Sequence, residues 1–132
     1  MKAHYAVAIT AFAGIAIGGV AVETLHAQNK PHAYAVIEMD VVNQEAFFKE
    51  FVPAAIKTIA DQGGKFLARG GKLVEIEGPV SSSPQDKRLT VVEFENMEKA
   101  QSTFNSASYA DVRTIGNKYA KFRIVAVEGP PQ

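Results

Sequence analysis

The sequence predicts an α+β fold, a four-stranded antiparallel sheet with helices on one face. Three observations carry this. Apolar and polar residues alternate over residues 33–41 and 88–95; apolar residues recur at helical spacing after Asn43 and after Asn96; and the elements follow the order strand, helix, strand, strand, helix, strand.

In chain order, residues 1–27 read as an address. Lys2 precedes an apolar run over residues 5–22, and a polar stretch follows. That is the layout of a secretory signal peptide, with cleavage expected near Ala27 and delivery to the periplasm or the exterior. The alternative is an uncleaved N-terminal anchor, because the run approaches the roughly 20 residues that span a bilayer. Thr10, Gly14, Gly18 and Gly19 interrupt it. Residues 28–32 form a leader, 33–129 the folded domain, and 130–132 a tail whose two prolines cannot join a sheet.

In the first strand Ala35, Ile37, Met39 and Val41 share one face, and Tyr34, Val36, Glu38 and Asp40 the other. Asn43 is placed to cap a helix whose apolar stripe includes Phe47, Phe48, Phe51, Ala55 and Ile59. Pro53, lacking an N–H, is expected to kink or divide that helix, and Gly63-Gly64 to close it. Residues 65–69 form a short strand, which residues 72–77 continue past a bulge or bend at Gly70-Gly71. A loop rich in turn formers leads to residues 88–95, with Leu89, Val91 and Glu93 on one face and Thr90, Val92 and Phe94 on the other. Asn96 caps a second helix carrying Met97, Ala100 and Phe104, and a break at residues 106–108 precedes a shorter helix with Tyr109 and Val112. Residues 121–128 are the last strand. Two strand–helix–strand halves make the ferredoxin-like βαββαβ arrangement. One sheet face stays uncovered, and its apolar residues predict a homodimer packed face to face with an enclosed space between the sheets.

The stretch Gly63-Gly64-Lys65-Phe66-Leu67-Ala68-Arg69-Gly70-Gly71, then Val74-Glu75-Ile76-Glu77-Gly78 and Arg88-Leu89-Thr90-Val91-Val92-Glu93-Phe94, resembles the family catalogued as domain of unknown function 1330. Ser106-Ala107-Ser108-Tyr109 and Val125-Ala126-Val127-Glu128-Gly129 are similar to that family as well. The resemblance implies a dimeric α+β barrel, a superfamily that also holds small monooxygenases, isomerases and haem-dependent peroxidases. It implies no reaction. Family members often carry an arginine in the helix before the last strand, a neighbourhood occupied here by Arg113.

Composition narrows the chemistry. Fourteen Lys+Arg balance fourteen Asp+Glu, so no field gathers phosphates and no nucleic-acid partner is expected. With no cysteine there is no disulfide, thiolate nucleophile, lipid-anchored cysteine or Cys-type metal site. The three histidines, His4, His26 and His32, fall in the signal and leader. The folded core therefore has no catalytic triad histidine, no His-based zinc site and no His ligand for haem, and a Tyr-ligated haem is formally open through Tyr34, Tyr109 or Tyr119. No metal and no cofactor are expected.

Arg69 is the polar residue that stands out. It ends an apolar strand beside Gly70 and Gly71, where bare backbone admits another group, and a guanidinium there would hold a carboxylate or enolate by a two-point fork. The structural alternative is an ion pair with Glu75, Glu93 or Glu38. Glu38 is the candidate general base if it points inward, and otherwise a solvated strand carboxylate. Tyr34 either lines the cavity as a donor or fills core. Arg88 and Glu93 are expected to form a cross-strand ion pair. Two functional readings follow. In one, an exported homodimer binds a small, partly apolar or anionic molecule through Arg69, Tyr34, Gly70 and Gly71, with any catalysis being cofactor-free proton transfer or oxygenation. In the other, the protein is a non-catalytic structural or interaction module whose sheet face is only a dimer interface.

Overall fold

The computed structural model describes residues 30–78 and 86–132. The expected signal peptide, with its cleavage point, and loop residues 79–85 lie outside the described residues. Strand β1 (Ala33–Val41) is central and pairs antiparallel with β3 (Lys87–Phe94) on one side and β4 (Ala120–Glu128) on the other. Strand β2 (Lys65–Arg69) adds outside β3, giving the order β2-β3-β1-β4. This is the ferredoxin-like α+β order, with all helices on one face of the sheet.

The period-two pattern of β1 explains its placement. Ala33, Ala35, Ile37, Met39 and Val41 are all buried beneath the helices, while the intervening residues stay half-buried on the open face. Cross-strand register then builds rungs on each face. On the helix side, Arg69, Thr90, Ile37 and Ile124 form one rung, and Phe66, Val92, Ala35 and Ala126 another. On the open side, Val91, Val36 and Val125 stand together, flanked by Glu93, Tyr34 and Val127 and by Leu89, Glu38 and Arg123.

The first helical stretch begins as α1 (Gln44–Ala46), widens into a π-helical turn (Phe47–Phe51) and continues as α2 (Val52–Asp61). Asn43 caps it as expected, its side chain accepting from the Ala46 N–H at 3.1 Å. The stretch is divided just before Pro53, at the π turn, rather than broken at Pro53 itself. The π turn, closed by a Val52 N–H bond to the Phe47 carbonyl, precedes it, and Pro53 sits in the first turn of α2. Phe47 and Phe51 fill the core with ring centroids 5.0 Å apart, but Phe48 is 47% exposed, contrary to its expected core place. Its Cα lies one position round the turn from Phe47, off the stripe facing the sheet. The Tyr119 hydroxyl donates to the Glu50 carboxylate, tying the π turn to the segment before β4. That bond holds the Tyr119 phenol above its ordinary pKa.

Gly63, at φ 91°, ends α2. Gly64 follows where a Cβ would lie 2.5 Å from Ile59 and 2.9 Å from Val92. In β2 the irregularity falls between Phe66 and Ala68, earlier than the expected bend at Gly70-Gly71. The predicted continuation over residues 72–77 is not a strand in the protomer. β3, the neighbour of β2, begins at Lys87, level with the start of that segment, so β3 offers it no further ladder.

Asn96 accepts from the Lys99 N–H at 2.8 Å and starts α3 (Met97–Phe104). Ser106 accepts from the Tyr109 N–H at 3.2 Å and starts α4 (Ala107–Gly116), which at 10 residues is longer than the 8 of α3 rather than shorter. Edge-to-face contacts link Phe94, Phe104 and Tyr109 across this half of the core, at 5.8 and 5.0 Å.

Candidate functional site

A cavity of about 240 Å³ opens between the π turn, α2 and the helix-side face of the sheet near β2. Its position follows from local sequence. The bulged, five-residue β2 stops at Arg69, so the helix layer overhangs a sheet corner that no further strand fills. Ile37, Met39 and Phe66 line the sheet side, and Phe47, Phe51, Ala55 and Ile59 the helix side. The lining is mainly apolar, with four polar side chains: Arg69, Arg88, Thr90 and Tyr109.

Arg69 and Thr90 are partners in the β2–β3 register, and Arg88 lies two residues before Thr90, so period two sends all three to the same face. The Arg69 guanidinium stands 5.3 Å from the Phe66 ring centroid, and among the described residues it forms no ion pair with Glu75, Glu93 or Glu38. Arg88 lies 5.8 Å from the Phe48 ring, and its Nη2 donates to Gln44 Oε1 at 3.0 Å. Phe48 is thus partly exposed because it roofs this corner beside a guanidinium. Gly70, at φ 65°, also lines the cavity, and nothing stands within 4 Å of a Cβ built at Gly70 or Gly71. The bare backbone expected beside Arg69 is present.

Tyr109, only 2% exposed, reaches the cavity from the first turn of α4. Burial raises its phenol pKa above 10.0, and Arg113, 5.1 Å from its ring centroid, offsets part of that rise. The phenol is therefore a neutral donor near neutral pH, not a base. Arg113 also donates to the Phe104 carbonyl at 3.1 Å, which gives that arginine a structural place at the end of α3.

The structure does not bring Tyr34 and Glu38 to this cavity. Both occupy even positions of β1 and face the opposite side of the sheet. There Glu38 accepts from Arg123 Nη1 at 3.3 Å, and Tyr34 stands between Glu93 and Val127. The expected Arg88–Glu93 pair is corrected on the same ground: five residues apart in one strand, the two side chains point to opposite faces. Glu93 meets His32 at 3.2 Å instead. No Asp, Glu or His lines the cavity, so it offers no carboxylate or imidazole base and no imidazole for a haem iron. Among the described residues, no cluster of three His, Cys, Asp or Glu is placed to hold a metal. Arg88, Thr90 and Tyr109 are site residues that sequence reasoning passed over. The face shared by Arg88, Thr90, Val92 and Phe94 was the signal that held two of them.

No curated protein matches the sequence. Solved structures resemble the fold at low identity. A cofactor-independent oxygenase from Streptomyces nogalater, SnoaB, aligns with TM-score 0.56 at 11% identity, covering 76% of this chain and 94% of that one. The RPA0582 protein of unknown function from Rhodopseudomonas palustris aligns with TM-score 0.56 at 10% identity, over 83% and 92%. A conserved protein of unknown function from Bacteroides thetaiotaomicron, described as a possible oxidoreductase, aligns with TM-score 0.51 at 16% identity, over 76% and 99%. At such identities the likeness is one of fold. The family model described as domain of unknown function (DUF1330) matches residues 32–130, the whole of the sheet and its helices, and the chain belongs to that family.

Proposed function

We propose that this protein is exported and works as a homodimer, each subunit binding a small apolar anion in the cavity between helix layer and sheet, with Arg69 as anchor. The observation that carries this reading is an apolar cavity of about 240 Å³ whose lining residues include two arginines and no Asp or Glu. The volume lies below the roughly 300–1,000 Å³ of drug-sized sites, which suits a ligand of one or two fused rings. Arg69 supplies the fork for a carboxylate or enolate, Gly70 leaves it room, and Thr90 and the neutral Tyr109 phenol are the remaining polar groups.

Any chemistry there is cofactor-free and runs on a substrate that is already anionic, since no base lines the cavity. Electron-rich phenolates and enolates, which react with dioxygen on their own electrons, fit that requirement, and the fold likeness to a cofactor-independent oxygenase agrees with it. Glu38 and Tyr34 belong instead to the open face, whose valine rung supports pairing of two sheets.

The test is calorimetric titration of the mature protein with 2-naphthoate and with its neutral isostere 2-naphthamide. Binding of the acid at least tenfold tighter than the amide, with the preference abolished in Arg69→Met at unchanged melting temperature, supports the anchor. Equal affinities, or an Arg69→Met variant that loses stability without losing the preference, would leave only the interaction-module reading. Mass measurement of protein recovered from its own compartment tests export: loss of residues 1–27 is the expected result.

A further inference from the structure

Two hydroxyl residues line the cavity, and both are more than nine-tenths buried: Tyr109 is 2% exposed and Thr90 6%. Among the described residues neither hydroxyl makes a hydrogen bond. Tyr109 engages its neighbours through its backbone N–H, which donates to Ser106, and through its ring, which meets Phe104 edge to face and has the Arg113 guanidinium 5.1 Å from its centroid. These contacts fix the ring and so set the direction of the hydroxyl in advance. Buried hydroxyls are as a rule hydrogen-bonded, because burial takes water away. Among the described residues no side-chain oxygen wholly shut off from solvent lacks a partner. Each of these two oxygens therefore keeps an opening, and the space that both residues border is the cavity.

The two hydroxyls stand differently with respect to the anchor. Thr90 is the register partner of Arg69 and lies beside it. Tyr109 comes from the other end. Its helix α4 begins beside the C-terminus of α2, where Gln62 Nε2 donates to Ser108 Oγ at 3.5 Å, and that C-terminus leads through Gly63-Gly64 into the start of β2 at Lys65. Arg69 ends the same strand, about 13 Å further along. The cavity thus has guanidinium charge at one end and a phenol at the other, with Phe51, Ala55 and Ile59 as an apolar wall. We propose that the ligand carries a second oxygen, at the end of its ring system remote from the acid group, and that the Tyr109 hydroxyl binds it. The substrate class is an aromatic acid with a hydroxyl or ketone oxygen on its far ring. The inference rests on the anchored-cavity reading above and narrows it. A plain aromatic acid sets a carbon edge against the phenol and leaves that hydroxyl unpaired, whereas an oxygen there pairs it. Arg69 then selects acids over neutral molecules, and Tyr109 selects oxygenated rings over plain ones.

Calorimetric titration of the mature protein at neutral pH with 6-hydroxy-2-naphthoate and with 6-methyl-2-naphthoate, its equal in shape and charge, tests this. The native protein should bind the hydroxy acid about tenfold tighter than the methyl acid. Tyr109→Phe should bind the two equally, while keeping the native melting temperature and the native preference for 2-naphthoate over 2-naphthamide, because the lost hydroxyl has no partner inside the protein. The isomer 3-hydroxy-2-naphthoate, whose hydroxyl lies beside the acid, should gain nothing from Tyr109: its affinity relative to 2-naphthoate should be the same in both proteins. Equal affinities of the hydroxy and methyl acids in the native protein overturn the proposal. So does a preference for the hydroxy acid that survives in Tyr109→Phe, and so does a Tyr109→Phe variant that fails to fold, which would show the hydroxyl to be bonded within the protein. Each of these results leaves the Arg69 anchor standing. Absence of the acid-over-amide preference in the native protein overturns both.

Discussion

Two single residues show how burial decides chemistry. Tyr109 is a phenol held in the core, and dehydration of its phenolate raises its pKa above 10.0. Well below pH 10 the phenol is protonated in both the folded and unfolded chains and contributes no pH dependence. Above it the unfolded chain releases the proton while the folded one retains it, so stability falls as pH rises through that range. A melting series from pH 8 to about pH 11 should show a steeper decline for the native protein than for Tyr109→Phe; parallel curves would remove Tyr109 as the cause. Gly116 is the second case. A Cβ there would lie 2.7 Å from the Phe51 ring and 2.8 Å from that of Phe122, so Gly116→Ala should cost about 1–3 kcal/mol in chemical denaturation. An unchanged midpoint would show that the rings yield without strain.

Elements were legible where a local rule sets them. Asn43 and Asn96 announce helix starts because a short carboxamide next to an apolar stripe can accept from an N–H that the helix leaves open, and both do so. Asn96→Ala should therefore destabilise the fold by roughly 1 kcal/mol, with Asn96→Asp or Asn96→Ser restoring most of it. A full effect from Asn96→Ser as well would point to packing rather than capping. Elements were misread where the rule was local but the partner was not. Residues 72–77 have a strand's alternation, yet β3, the strand beside β2, begins only at Lys87, level with the start of that segment. Pro53 has a breaker's chemistry, yet a π turn before it absorbs the missing donor.

At the scale of the sheet, one face is covered by helices and the other presents Val91, Val36 and Val125 as a rung that no described element covers. Val127, at the same face, is 58% exposed. A charge at the centre of that rung separates dimerisation from folding. Val36→Asp should give a monomer by sedimentation with an unchanged far-ultraviolet spectrum, because in a single protomer the side chain borders solvent, whereas in a dimer two carboxylates would be buried together. A Val36→Asp dimer of native affinity would rule out face-to-face packing.

The sequence by itself determined the class, the element order, the two faces of β1 and β3 and the helix caps at Asn43 and Asn96, because these depend on side-chain period and on chemistry within four residues. It also marked Arg69 with its paired glycines as the place to look. What lines the cavity was decided only by tertiary structure. Arg88, Thr90 and Tyr109 come to Arg69 through strand register and the docking of α4, separations of about 20 to 40 residues that no local pattern encodes. The same register carried Tyr34 and Glu38 away, since a strand's odd and even positions never share a face.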